Sequence, residues 1–406
     1  MSNVVVNNQY MYDIASAIRG WNGLSTTYKP SEMPAAINDL NLGGDVTVDM
    51  IAEKNFGKSI SCNASFISRF AFRYCYSLTT VSFPSCTSIG YGAFANCSSL
   101  TTASFPVCTT IGTIAFQSCY SLTTASFPSC TSIDTSAFQN CSRLTTASFP
   151  SCISIGSYAF YYCTSLTTAS FPVCTSIESN AFYNCSRLTT ASFPSCISIG
   201  ANAFRYCYSL TTVSFPSCTS IGNYAFQNCY PLTTTNFPAC KTIGTGAFYG
   251  CSSLTTASFS VCTTINPQAF RYCYSLTTVS FPSCTSIGSS AFQNCSRLTT
   301  ASFPVCTAIW SNTFYGCLSL TTASFPVCTN IGSSAFANCY SLISLYLNNV
   351  SSVPTLGTSV FRSTPIGGYT TSTGGVYGSV FVPGSLYQPF LTATNWSDIS
   401  SRIVSV

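Results

Sequence analysis

A block of 22 residues, first complete from Leu78 to Ser99 as LTTVSFPSCTSIGYGAFANCSS, returns down most of the chain. Its Phe83-Pro84 pair recurs as Phe105-Pro106, Phe127-Pro128 and onward to Phe325-Pro326, always 22 residues on, with no insertion or deletion. Twelve copies run in this register, and Ser260 is the single break in the proline column. A unit this short cannot bury its apolar face except against the next copy, so a fixed step of this size predicts a solenoid of stacked coils. The usual expectation that 406 residues form two or three domains does not apply to such an array.

The repeat also accounts for an unusual composition. Apolar residues make up 46%, yet no apolar run approaches the roughly 20 residues that cross a membrane. Charged residues are only 6%, against about 25% in ordinary soluble domains. Solubility must then rest on Ser, Thr, Asn and Tyr. The net charge of +5 is spread thinly with no basic run, which argues against a nucleic-acid partner.

Of the 26 cysteines, twelve occupy one column, Cys86 to Cys328, thirteen a second, Cys75 to Cys339, and Cys62 stands apart. Columns of this kind belong to the repeat and are expected to be buried, reduced thiols. A disulfide between neighbouring coils is the alternative. It would have to choose one of two equivalent neighbours at every rung and so break the repeat. With no histidine and no CxxC pair, neither a metal site nor a cofactor is expected.

Within each copy, Leu78, Val81, Phe83 and Cys86 give L-x-x-V-x-F-x-x-C, the strand pattern of leucine-rich repeats. Pro84 should close that strand, since it cannot donate to a ladder. Ile89, Ala93, Phe94 and Cys97 supply the return side. Near Ile51 a degenerate turn leads in, with Ser61 and Ala64 in the Phe and Cys columns. The full pattern, IG--AF--C-SLTT-SFP, resembles the BspA-like leucine-rich repeats of surface proteins over residues ~60–350. That resemblance implies an α/β repeat solenoid, with 22-residue turns and a parallel β-sheet along one face. It also implies a closing cap built from Val360-Phe361, Val380-Phe381-Val382-Pro383 and Ala393-Thr394-Asn395-Trp396.

Residues 1–45 read as a separate helical module, with Tyr12–Arg19 at helical spacing before Gly20 and a second short helix from Pro30. The run YDIASAIRGWNG followed by TYKPSEMPAAINDL resembles the short leader of phage tail and prophage structural proteins. The expected organisation is therefore 1–45 for attachment or oligomerisation, 46–350 for the solenoid and 351–406 for the cap. The amino terminus lacks the charged and apolar regions of a secretory signal, so the resemblance implies a virion location, with the cell surface as the alternative.

Chemistry has no foothold in the repeats. Without histidine there is no Ser-His or Cys-His pair, and Asp134 and Glu178, two copies apart, replace the turn glycine seen at Gly90. No enzyme is expected. Strand positions Thr79, Thr80 and Ser82 hardly vary, which suits solvated strands or a regular target. Variation gathers in the columns of Arg73, Tyr76 and Arg143, and residues 205–270 and 271–336 are near copies. Tyr and Arg on a rigid scaffold make recognition surfaces, so the candidate ligand-binding residues are Arg73, Tyr76, Arg143, Tyr161, Tyr208, Tyr230 and Tyr274. The expected role is a binding protein for a cell-surface glycan or protein. Its residues 1–45 would join other virion proteins or a second copy in a homo-oligomer. The rivals are a self-assembling fibre or sheath subunit and a bacterial cell-surface adhesin.

Overall fold

The computed structural model describes residues 59–61 and 63–406. The helical module expected over 1–45, the lead-in near Ile51 and Cys62 lie outside the described residues. The chain divides into two units, one ending at Ser195 and one running from Cys196 to Val406.

Each unit is a parallel β-solenoid in which one 22-residue copy makes one coil. In the first unit a three-residue strand, such as Thr80–Ser82, pairs in parallel with its counterpart one copy on, Thr102–Ser104. A two-residue strand, such as Ser88–Ile89, pairs likewise with Thr110–Ile111. The single expected sheet is thus joined by a second, narrower ladder after the Pro84 turn. The pattern follows from side-chain alternation. Val81 and Ile89 point inward and are fully covered, while Thr80 and Ser82 flank Val81 on the outer face. One detail departs from the columns. Ser61 pairs with Ser82 rather than standing in the phenylalanine column, because the first turn is one residue shorter between its two strands.

The core is a pair of aromatic ladders. In the first unit Phe83, Phe105, Phe127 and Phe149 stack at 5.4–5.5 Å with near-parallel rings. Phe94, Phe116 and Phe138 do the same at 5.1–5.2 Å, and the two columns meet edge to face. The second unit repeats this from Phe204 to Phe336, with Phe361 closing the column at 6.2 Å. Offset-stacked and edge-on contacts are the favoured ring geometries, and here one sequence step satisfies both.

The third side of each coil has no strand and still forms a ladder. In the second unit the N–H groups of Asn202, Phe204 and Tyr206 donate to the carbonyls of Asn223, Ala225 and Gln227 in the next coil. The same three-bond set repeats through Ser334, Phe336 and Asn338, which donate to Thr358, Val360 and Arg362. Two positions per coil carry positive φ, occupied by residues as large as Tyr206, Tyr224 and Ile114.

At the carboxyl end, strands Ser379–Val382 and Ile403–Ser405 extend the three-residue ladder beyond Ser344–Tyr346. Trp396 is fully buried, donates from its ring nitrogen to the carbonyl of Pro354 at 2.8 Å and meets Phe390 edge-on at 4.9 Å. Among the described residues no helix is long and apolar enough to cross a membrane.

Candidate recognition ridge

The variable columns lie where the third side turns back towards the three-residue strand. In the second unit Arg205 sets its guanidinium over the ring of Tyr206 at 4.7 Å and donates to that hydroxyl at 3.0 Å. Tyr206 contacts Tyr208 at 5.7 Å, and Tyr208 stacks on Tyr230 of the next coil at 5.6 Å and 14°. Two of the predicted residues, Tyr208 and Tyr230, are therefore neighbours, both just under half exposed. Tyr274, two coils beyond Tyr230, belongs to a second patch, where Arg271 covers Tyr272 at 4.8 Å and Tyr249 meets Tyr272 edge-on at 5.3 Å. The two patches stand 66 residues apart, the period of the duplicated three-copy unit.

The first unit carries similar patches. Arg73 lies over Phe70 at 4.5 Å and Tyr74 at 4.6 Å and donates to the Tyr74 hydroxyl, with Tyr76 beside it at 58% exposure. Tyr161 sits among Tyr158, Tyr162 and Tyr183, with ring centroids at 4.6–5.3 Å. Burial pushes its phenol pKa up, helped by the neighbouring phenols. Arg143 is exposed and apart from these clusters.

Two points differ from the sequence-based expectation. Arg73, Arg205 and Arg271 are half-buried and engaged with neighbouring rings, so they brace tyrosines more than they project. The tyrosines they brace, Tyr74, Tyr206 and Tyr272, were missed. Their signal was the Arg-Tyr dipeptide recurring at 73–74, 205–206 and 271–272. Trp310, 49% exposed in the glycine column of Gly90, was missed as well.

The columns of Thr79 and Thr87 are used differently. Thr101 Oγ1 donates to the Thr79 carbonyl at 2.9 Å, Thr123 to Thr101 and Thr145 to Thr123. The Thr87, Thr109 and Thr131 column does likewise. These hydroxyl protons tie coil to coil and are not offered to a ligand.

The cysteines are free thiols, 25 of them among the described residues and all buried. One column donates two residues along, as Cys86 does to Ser88 at 3.2 Å, and the other donates to a phenylalanine carbonyl, as Cys251 does to Phe226 at 3.2 Å. Burial pushes Cys108 up to about 12 and Cys262 up to about 11. Among the described residues no group of three His, Cys, Asp or Glu side chains could hold a metal, and Asp134 and Glu178 stand exposed.

The repeat matches the BspA type leucine rich repeat region over residues 65–189, 175–299 and 263–373. The chain belongs to the BspA type leucine-rich repeat family. Among solved structures, a leucine-rich repeat protein from Bacteroides ovatus ATCC 8483 is 24% identical with a TM-score of 0.53, covering 72% of this chain and 87% of that one. A leucine rich cell surface protein from Faecalibacterium prausnitzii A2-165 is 27% identical with a TM-score of 0.40, covering 73% of this chain and 86% of that one. No curated protein matches the chain in sequence. The BspA type match spans the three-sided coils and their Tyr/Arg corner, and it stops short of residues 1–45.

Proposed function

We propose that this BspA type solenoid is a non-enzymatic recognition protein whose Tyr/Arg corner binds a cell-surface glycan or protein. The observation that carries this reading is the contrast between columns. Threonine hydroxyls at constant positions are used between coils. Exposed tyrosines at varying positions, Tyr208 and Tyr274, lean on half-buried tyrosines, Tyr206 and Tyr272, that arginines cover. Identical rungs cannot distinguish one stretch of the array from another, so specific contacts must come from the rungs that change. Tyrosine and arginine bring large area and planar hydrogen bonding with little ordering cost. The resemblance of residues 12–40 to phage tail leaders supports placing the protein on a virion, as a tail-fibre or host-recognition component joined through residues 1–45.

Replacing Tyr208, Tyr230 and Tyr274 together with Ser tests this reading, because serine already fills that column at Ser252 and Ser296. Labelled protein should lose binding to a panel of bacterial cells by about tenfold or more. The melting temperature should hold within a few degrees. Unchanged binding by the triple variant, with loss on Thr→Val changes along the strand face, would transfer the contact to the uniform columns.

A further inference from the structure

The third-side ladder of the second unit is polar in the literal sense. Its inter-coil backbone hydrogen bonds, three per coil over seven successive coils from Asn202 to Asn338, each run from an N–H to a carbonyl of the next coil. Side chains donate the other way, as Cys251 does to Phe226. Peptide dipoles aligned in this way add up as they do along a helix, with the positive end where the donors emerge. The last coil has no successor on this side. The N–H groups of Ser359, Phe361 and Ser363 hold the places that donate in every earlier coil, and no acceptor meets them among the described residues. Phe361 is only 6% exposed, so bulk water has little access to the residue that carries the central donor. Ser359 and Ser363 both have φ of 56°, the left-handed turn geometry in which neighbouring amides form a concave anion-binding nest.

A cleft of about 400 Å³ opens on this edge. Its lining includes Ser359, Phe361 and Arg362 of the last coil and Asn395, Asp398 and Ile399 of the cap. Asn395 is held by its own amide, which donates to the Leu356 carbonyl. The cleft therefore joins unused amide donors, one guanidinium and the positive end of a dipole stack. We propose that it binds an oxyanion, the carboxylate of an acidic sugar or a phosphate group, on the amides of Ser359 and Phe361 with Arg362 supplying the charge. Donors that are preorganised and partly desolvated suit an ionised acceptor better than a neutral one. Asp398 faces the same space with the opposite sign and weakens the site unless the ligand brings a hydroxyl to it. This site is separate from the Tyr/Arg corner and does not depend on it.

The test reads the amide itself. Val-Phe occurs only at 360–361 and 380–381, so the full chain labelled with carbonyl-13C valine and 15N phenylalanine shows two selected amides. Phe381 lies within a paired strand and serves as the control. Titration with sodium glucuronate and, separately, with inorganic phosphate should move Phe361 downfield to saturation and leave Phe381 in place. Saturation by glucuronate alone assigns an acidic sugar, and by phosphate alone a phosphate group. Arg362→Gln should weaken binding by about threefold or more, and Asp398→Asn should tighten it. The proposal fails if Phe361 does not move with either anion, if both amides drift together with ionic strength, or if Arg362→Gln binds as tightly as the parent.

Discussion

Cys251 shows how a thiol fits a place that a hydroxyl would strain. Its sulfur is fully buried and donates to the Phe226 carbonyl at 3.2 Å, and the same carbonyl also receives the amide of Cys229. A serine hydroxyl would therefore meet an acceptor at this column. What remains is the loss of a large polarizable atom from a close-packed wall and a small void from the shorter bond. Cys251→Ser should cost about 1 kcal/mol, read as a lowered urea midpoint with unchanged slope. A loss above about 3 kcal/mol would mean that the acceptor is not reached. Valine at the same place should cost more than serine, because overpacking forces the neighbouring rings apart. At this scale the sequence was highly legible, since a column of cysteines among columns of Phe, Leu and Ile predicts burial. The acceptor was not legible, because it comes from a carbonyl 25 residues away.

Among elements, the three-residue ladder of the second unit breaks twice, between Thr278–Ser280 and Thr300–Ser302, which do not pair, and at residues 234–236. Residues 234–236 form no strand, although Thr212–Ser214 and Thr256–Ser258 on either side do. The sequence gives the cause. Thr235 stands in the inward column filled by Val213 and Ala257, and its hydroxyl is buried with no hydrogen-bond partner. Thr235→Ala removes that group and should stabilise by about 1–2 kcal/mol, with a matching rise in melting temperature. A fall would show that Thr235 has a partner in solution. Ser260, the one break in the proline column, offers a second test. Its carbonyl accepts from Ser283 at 2.9 Å, as the Pro128 carbonyl accepts from Ser151, so the turn keeps the same inter-coil bond without proline. Ser260→Pro should stabilise by about 0.4–1 kcal/mol through the unfolded chain, and a destabilised variant would show that φ differs there. The strands and both phenylalanine ladders were readable from period and alternation. The third-side ladder was not, because its inter-coil bonds join backbone groups without strand alternation, and the flanking donors, such as Asn202 and Tyr224 or Tyr206 and Asn228, vary from coil to coil. The Tyr/Arg corner was half readable. Variation pointed to Tyr208, Tyr230 and Tyr274, while the bracing of Tyr206 and Tyr272 needed the turn geometry that brings adjacent residues onto one surface.

At the scale of the molecule, the thiols make alkali the condition that should unfold this protein. An unfolded cysteine ionises near its ordinary value of 9. In the fold, burial pushes Cys108 and Cys284 up to about 12 and Cys262 and Cys306 up to about 11, and pushes Cys119, Cys163 and Cys229 up as well. A pKa raised by folding means that the folded state holds protons which the unfolded state releases. The stability is therefore fully present below pH 9 and is lost as pH rises from 9 towards 11–12. Each such thiol contributes a slope of about 1.4 kcal/mol per pH unit over that window. Ten such thiols ionising together would already match the whole net stability of about 5–15 kcal/mol of a typical domain. The urea midpoint should be flat from pH 6 to 8, fall steeply above 9 and vanish before 11. In the native protein at pH 8 a thiol reagent should find almost no reactive group, and after denaturation without reductant it should find close to 26. A midpoint that stays flat to pH 11 would mean that the thiols open to solvent coil by coil, and a low count in denaturant would mean that they are not free.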